Sequence, residues 1–188
     1  MEKDKRIMVC IGGGEIGRPG TNVETKEIDL KIKELTKKDT PKLLFIPTAS
    51  NDSDSYCEVA KKYFGKELGF KVNNILLIAE NESYTNIENK ILSSDAIYIG
   101  GGNTKKMIEK WKEKGIDKLL KQAWENGIIL SGLSAGAICF FEKAITDCET
   151  IDNSLTAMQS LGFIKGCICS HFDTKKDRKI FIEKFLFF

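Results

Sequence analysis

One serine of the sequence stands in a pattern typical of enzyme nucleophiles, Gly132-x-Ser134-x-Gly136. The pattern follows an apolar run at residues 128–132 and precedes a segment rich in small residues. In a nucleophile elbow, a sharp strand-to-helix turn holds the serine out over the sheet, and the flanking glycines leave room for the turn. A helix that begins at Ala135 would also favour negative charge developing beside the serine. The alternative is an ordinary turn whose serine caps a helix.

The chain contains a single histidine, His171, so any chemistry that needs an imidazole must use it. His171 follows a predicted strand at residues 166–170, downstream of Ser134. A serine nucleophile needs a base to take its proton, and histidine suits this role because its pKa lies near 6.5. A lone histidine is more often a surface or core residue. Its position at the same sheet edge as the serine favours the catalytic interpretation.

A third residue, an acid, should orient that imidazole. The spacing does not choose among the four acidic residues that lie between the serine and the histidine, which are Glu142, Asp147, Glu149 and Asp152. Glu142 is expected on the helix after the serine, facing elsewhere, whereas the other three occupy a loop that could fold back over the site. Asp173 is expected to cap the final helix.

Short apolar runs alternate with longer amphipathic segments along the whole chain. The predicted strands cover residues 6–11, 42–47, 73–79, 96–99, 128–132 and 166–170. The predicted helices cover residues 23–38, 53–68, 85–93, 104–112, 116–125, 135–143 and 175–187. This alternation predicts one α/β domain over residues 1–188, a flavodoxin-like three-layer sandwich with a mostly parallel sheet. Ligands of such sheets bind beyond the carboxyl ends of the strands.

Two glycine clusters follow predicted strands at that edge. Residues 100–104, Gly-Gly-Gly-Asn-Thr, could cradle a phosphate through backbone N–H groups, or form one arm of an oxyanion hole with the amide of Ala135 as the other. The chain order serine, acid, histidine favours the oxyanion hole. Residues 12–17 have the G-x-G-x-x-G spacing of dinucleotide-binding proteins, but the region about 20 positions on is a predicted helix around Glu34, which disfavours nucleotide binding.

Composition excludes several classes of protein. Apolar residues make up 41 % of the 188 residues, yet no run approaches the roughly 20 apolar residues of a membrane span. The charged N-terminus does not resemble a secretory signal, so we expect a cytoplasmic protein whose six cysteines are reduced. The net charge of +2 carries no signature of nucleic-acid binding. Cys167-x-Cys169 has the wrong spacing for zinc, so no metal site is expected.

Three segments together resemble the dipeptidase E family of serine peptidases, which includes the cyanophycinases. They are Gly-Leu-Ser-Ala-Gly-Ala-Ile-Cys-Phe-Phe at 132–141, Tyr-Ile-Gly-Gly-Gly-Asn-Thr at 98–104 and His-Phe-Asp at 171–173. The stretches at 11–14 and 45–50 agree with this family as well, and the resemblance runs from about residue 6 to residue 185. It implies a fold similar to that of class I glutamine amidotransferases, with serine in place of cysteine at the elbow.

The resemblance also implies a set of catalytic residues. Ser134 would be the nucleophile, His171 the base and Glu149 the acid, since family members carry the acid about 15 residues beyond the serine. Gly102 and Ala135 would donate the two amides of the oxyanion hole. The implied reaction is hydrolysis of a small peptide through an acyl-enzyme, without a cofactor.

Substrate specificity is the third implication. Family dipeptidases cleave peptides with an N-terminal aspartate and hold the substrate carboxylate with a basic residue after the histidine, for which Arg178 is the nearest candidate. Asn103 of the glycine cluster is the second predicted substrate-binding residue. An esterase using the same residues and an inactive binding homologue are the alternatives. Family members continue with further strands beyond the position where the apolar residues 185–188 stand. We therefore expect either a truncated chain or a C-terminal end that packs in a dimer. The expected oligomeric state is a monomer or a homodimer.

Overall fold

A five-stranded parallel sheet lies at the centre of the chain, in a computed structural model that describes residues 6–148 and 154–186. In the order β1-β5-β4-β2-β3, every neighbouring pair of strands is parallel. The strands are β1 (Met8–Ile11), β2 (Lys42–Ile46), β3 (Lys71–Asn74), β4 (Ala96–Ile99) and β5 (Ile129–Leu133). Because β5 lies between β1 and β4, the loops that follow those two strands flank the residue that ends β5.

Helices lie between the strands of this sheet along the chain, and further helices come after its last strand. The helices are α1 (Lys26–Leu35), α2 (Asp54–Ala60, continued by a π-helical segment Lys61–Glu67), α3 (Tyr84–Leu92), α4 (Thr104–Lys114), α5 (Ile116–Glu125), α6 (Ala135–Ile138) and α7 (Lys176–Leu186). Side chains of Ser53, Ser83 and Asn103 cap the N-termini of α2, α3 and α4 by accepting backbone N–H groups. None of the helices in the described part of the chain has the length and apolar character that a membrane span requires.

The sheet is covered on both faces, and the side chains of β2 point alternately into the two cores. Leu44 and Ile46 face one core, which α3, α4 and α5 close with side chains such as Trp111. Leu43 and Phe45 face the opposite core, which α1 and α2 close. Alternate residues of a strand point to opposite faces, so a strand apolar at every position must be buried between two layers. These layers confirm the predicted α/β class with a mostly parallel central sheet.

A second, three-stranded sheet follows β5, and the sequence did not predict it. Its strands are β6 (Phe141–Thr146), β7 (Thr156–Gln159) and β8 (Ile164–Cys169), with β6 antiparallel to β7 and parallel to β8. The predicted helix at 135–143 is therefore wrong beyond residue 138, where α6 ends. The predicted last strand belongs to this small sheet and not to the parallel one. The β7 strand was not predicted at all.

The apolar run at 73–79 is also not the strand that was predicted. The third strand occupies Lys71–Asn74, and residues 75–79 form a loop whose Ile75 and Leu77 are buried in the core. Backbone N–H groups of Ile78 and Ala79 donate to the buried carboxylate of Asp52 instead of to a neighbouring strand. Burial of apolar side chains alone does not distinguish such a loop from a strand.

A buried carboxyl group lies between α1 and α2. Asp29 has no exposed surface, and its Oδ2 accepts hydrogen bonds from the Thr25 hydroxyl at 2.7 Å and the Tyr63 hydroxyl at 2.8 Å. Burial raises the pKa of Asp29 to about 6, against the opposing effect of the two hydrogen bonds. The folded chain therefore holds the Asp29 proton more tightly than the unfolded chain does.

This difference predicts a pH-dependent stability. The free energy of unfolding should fall as the pH rises from about 4 to about 6, by at most about 3 kcal/mol, because the raised pKa stabilises the fold only while Asp29 is protonated. Asp29→Asn is neutral throughout and should lose this part of the fall. Urea unfolding at acidic and neutral pH measures it, with the exposed Asp39→Asn as control. A wild-type fall in Asp29→Asn would contradict the assignment.

Candidate active site

Ser134 occupies the turn between β5 and α6 in a backbone conformation that is rare for a residue with a side chain. Its φ is +51° and its ψ is −109°, a strained geometry of the kind that marks nucleophile elbows. Two close approaches explain the glycines around it. A Cβ on Gly132 would overlap the carbonyl of Gly136, and a Cβ on Gly136 would overlap the carbonyl oxygen of Ile99. Larger residues at either position would push the elbow off the sheet.

His171 lies against Ser134, although the two residues follow strands of different sheets. The Ser134 Oγ and the His171 Nε2 lie 2.9 Å apart, within hydrogen-bond distance. The N–H of His171 donates to the carbonyl of Gly12 at 2.9 Å, which joins the end of β8 to the end of β1. A Cβ on Gly13 would lie 2.6 Å from the His171 Nδ1, so the absent side chain at Gly13 leaves the space that the imidazole fills.

The electrostatic surroundings favour a neutral His171. Burial lowers the pKa of His171 below its ordinary value of 6.5, the nearby positive charges of Arg178 and Lys175 lower it further, and Asp147 opposes them. This lowered pKa favours the neutral form of the imidazole at neutral pH. A neutral imidazole that carries its proton on Nδ1 accepts the serine proton on Nε2, as a general base must.

The glycine loop after β4 lies directly beside the serine. A Cβ on Gly101 would be 3.5 Å from the Cβ of Ser134, so these two residues are in contact range. Gly102 has a φ of +144°, and a Cβ there would overlap the carbonyl of Ala49. Only glycine fits the position of Gly102, because both the backbone conformation and the lack of space forbid a side chain.

The backbone amides of this loop are not equivalent. Gly101 donates its N–H to the Tyr56 hydroxyl at 3.4 Å, and Asn103 donates its N–H to a carbonyl of the turn after β2. Within the described residues, the N–H groups of Gly102 and Ala135 have no hydrogen-bond partner. Uncommitted N–H groups on either side of a nucleophile are what an oxyanion hole requires.

Of the two candidate acids between the serine and the histidine that the structure describes, Asp147 is the one whose surroundings include both the final helix and the histidine. Its Oδ2 accepts from the Arg178 guanidinium at 2.9 Å and lies 3.7 Å from the Lys175 ammonium. In the described part of the chain, no carboxylate accepts a hydrogen bond from the His171 ring. Asp147 acts on the imidazole through its charge and is otherwise engaged by the two cations.

The other candidate acids are placed differently. Glu142 lies on β6 and not on the predicted helix, and it accepts the N–H of Gly166 on the neighbouring strand. Glu149 and Asp152 lie outside the described residues. Asp173 does not cap the final helix, because α7 begins at Lys176 and the turn after His171 separates them.

The two predicted substrate-binding residues both have partners within the fold. The Asn103 Oδ1 accepts the N–H of Lys106 at 2.9 Å and so caps α4. Arg178 is only 3 % exposed and donates to Asp147 and to the carbonyl of Ile145. Substrate binding by these residues stays a prediction, and for Arg178 it would require the guanidinium to leave Asp147.

Sequence reasoning missed Tyr56, which supports the glycine loop. Its hydroxyl accepts the Gly101 N–H, and its ring fills the space that a side chain at Gly100 would need. Tyr56 lies on the buried face of a helical segment, so its pattern in the sequence is that of an ordinary core residue. No sequence signal distinguishes it from its apolar neighbours.

A parallel sheet whose nucleophile elbow presents a serine to a histidine is the arrangement of a serine hydrolase. The family model of Peptidase family S51 matches residues 8–187, so the chain belongs to this family of serine peptidases. The family resemblance predicted from the sequence is thereby confirmed, and so is the enzyme class.

Individual relatives agree with this membership. The uncharacterized peptidase YgaJ of Bacillus subtilis (strain 168) is 36 % identical over 172 residues, which cover 92 % of this chain and 71 % of that protein. A crystal structure from Listeria monocytogenes EGD-e, of a protein that carries a peptidase E assignment, matches with a TM-score of 0.65 and 26 % identity over 86 % of this chain and 83 % of that one. A peptidase from an acI-B1 Actinobacterium shares the fold, with a TM-score of 0.70 and 16 % identity over 93 % of this chain and 74 % of that one.

Two adjacent glycines allow a matched test of the site. Gly13→Ala should slow the labelling of Ser134 by a fluorophosphonate about a hundredfold, because the new Cβ displaces the imidazole by roughly an ångström. Gly12→Ala should label at the wild-type rate, since nothing lies within 4 Å of its new Cβ. Labelling rates and melting temperatures of both variants decide the matter. Equal labelling rates would show that the imidazole is not held against Gly13.

Proposed function

We propose that the chain is a dipeptidase-like serine peptidase that hydrolyses small peptides through an acyl-enzyme. The observation that carries this proposal is the 2.9 Å approach of the Ser134 Oγ to the His171 Nε2, at a strained elbow. Ser134 is the nucleophile, and His171 is the general base. The contact supports these roles because a hydroxyl is nucleophilic at neutral pH only when a base accepts its proton.

The steps follow from the positions of these groups. Ser134 attacks the scissile carbonyl while His171 takes its proton, and the negative charge on the carbonyl oxygen is stabilised by the N–H groups of Gly102 and Ala135. His171 then gives the proton to the leaving amine, which departs and leaves an acyl-enzyme. A water molecule, deprotonated by His171, attacks the ester, and His171 returns that proton to the Ser134 Oγ as the acid product leaves. Each step conserves protons without a metal or cofactor.

The third member of the triad is proposed to be Glu149. Its support is the family spacing from Ser134, and Asp147 and Asp152 are the alternatives. Asp147 is the weakest of the three, because Arg178 and Lys175 already engage its carboxylate. A carboxylate that accepts the Nδ1 proton would fix the imidazole in the tautomer that leaves Nε2 free for the serine.

The proposed substrate class is a short peptide, with N-terminal aspartate as the specificity to be tested. Asn103 and Arg178 remain the candidate substrate-binding residues, of which Arg178 rests on the family resemblance. Arg178 is buried, and its positive charge lowers the pKa of His171. This effect on the histidine fits its position better than binding of a substrate does. The carboxylate of a substrate would need a cation with solvent access.

Hydrolysis of an aspartyl and a leucyl p-nitroanilide by wild type and Ser134→Ala tests the activity. We expect cleavage that Ser134→Ala reduces by about 10³-fold or more, since the nucleophile is lost. Preference for the aspartyl substrate would support the proposed specificity, and preference for the leucyl substrate would contradict it. Failure of folded wild type to cleave either substrate, or to react with a fluorophosphonate, would overturn the peptidase proposal. Cleavage of esters alone would replace the peptidase with an esterase.

The pH profile tests the base and the acid together. Because the pKa of His171 is lowered, kcat/KM should fall with acidification around a midpoint below pH 6.5, where the imidazole becomes protonated. Glu149→Gln should lower the plateau by roughly 10²- to 10⁴-fold, and Asp152→Asn should leave it unchanged. The reverse pattern would assign the triad to Asp152. A midpoint above 6.5 would contradict the environment described for His171.

A further inference from the structure

The loop after β1 borders the site of Ser134 on the side of the histidine. It begins at Gly12, whose carbonyl accepts the His171 N–H, and continues at Gly13 against the imidazole ring. The loop is pinned further on, where Ile16 forms a β-bridge with Val23. A loop attached at both places holds the residues between them in a defined position beside the site.

Arg18 lies in this loop, and its guanidinium stands over the ring of Tyr56. Its guanidinium carbon is 6.0 Å from the centre of the Tyr56 ring. The Tyr56 hydroxyl accepts the Gly101 N–H, and Gly101 is in contact range of Ser134. Contacts therefore lead from Ser134 through Gly101 and Tyr56 to Arg18, and back through the β1–α1 loop to the imidazole. Among the residues connected by these contacts, Arg18 is the positively charged one.

The Arg18 guanidinium is oriented but accessible. Its Nε donates to the Glu15 Oε2 at 2.7 Å, its Nη2 donates to the Glu15 Oε1, and its side chain is 56 % exposed. The pKa of Glu15 is lowered by the hydrogen bond from Arg18, so Glu15 stays a carboxylate. In the described residues, the Nη1 of Arg18 has no partner. An exposed ion pair of this kind adds little stability. Its two hydrogen bonds nevertheless fix the orientation of the Arg18 guanidinium group.

We propose that Arg18 is a specificity-determining residue that binds a carboxylate of the peptide substrate, with Glu15 as its positioning residue. The inference rests on the proposed peptidase function. Guanidinium groups bind carboxylates through paired N–H donors, and this recognition depends on a fixed orientation. Arg178 is buried and paired, which leaves Arg18 as the arginine with solvent access at this site. The carboxylate belongs either to the C-terminus of a dipeptide or to an N-terminal aspartate.

Kinetics of Arg18→Gln on three peptides test the proposal. On Asp-Leu, KM should rise about tenfold with kcat within about twofold of wild type, since a charge-assisted contact made before and during the reaction is lost. If Arg18 binds the C-terminal carboxylate, the substitution should leave the KM for Asp-Leu amide unchanged. If Arg18 binds the side chain of the N-terminal aspartate, it should leave the KM for Asn-Leu unchanged. Arg18→Lys, which keeps the charge without the paired N–H donors, should give an intermediate KM.

The matched control is Lys31→Gln, which removes the cation of another exposed pair three residues from its partner, Glu34, on α1. It should leave every KM unchanged. An Arg18→Gln variant that matches Lys31→Gln on all three peptides would overturn the inference. So would a tenfold rise in KM for all three, because that result shows a general distortion of the site.

Binding to the inactive Ser134→Ala protein separates this inference from the proposed function. Calorimetry with Asp-Leu should show a dissociation constant about tenfold larger when Arg18→Gln is added to Ser134→Ala. If the two inactive proteins have equal dissociation constants, while the wild type reacts with a fluorophosphonate and cleaves peptides, the role of Arg18 is rejected and the peptidase proposal stands. A wild type that neither reacts nor cleaves would reject both.

Discussion

The hydrogen bond from the His171 N–H to the Gly12 carbonyl joins the two sheets at the place where the proposed chemistry occurs. The serine ends a strand of the parallel sheet, whereas the histidine follows a strand of the small sheet. Their 2.9 Å contact depends on how these two sheets are held together. The glycines at the end of β1 are part of that constraint, because a side chain at Gly13 would occupy the place of the imidazole.

Much of the parallel sheet could be predicted because its strands are buried on both faces and therefore read as short apolar runs. The same reasoning failed after Ser134. Residues 141–146 form a strand with one exposed end, and their pattern also fits the continuation of a helix. The apolar run at 73–79 predicted a strand with the wrong bounds, since buried apolar loop residues such as Ile75 and Leu77 produce the same pattern as a strand.

The site was predictable where chemistry restricts the residue type. A serine between two glycines and a single histidine are unusual enough to identify from the sequence, and the structure brings Ser134 and His171 together. Residues with several possible roles were not identifiable in this way. Arg178 follows the histidine closely along the chain but lies buried against Asp147, because the first turn of α7 directs it inward. Arg18 carries no signal in the sequence, because its neighbour Tyr56 is 38 positions away along the chain.

The placement of His171, the proposed base, directly after the small sheet has a consequence for how activity and folding are related. The large sheet and its helices contain most of the buried apolar side chains, and the small sheet contributes few, among them Ala144, Ile145 and Met158. Regions with few buried contacts open locally at lower free energy than the rest of a protein. Opening of β6, β7 and β8 would carry the imidazole away while Ser134 remained at its elbow. Activity would then be lost when the small sheet opens, even while the parallel sheet and its helices remain folded.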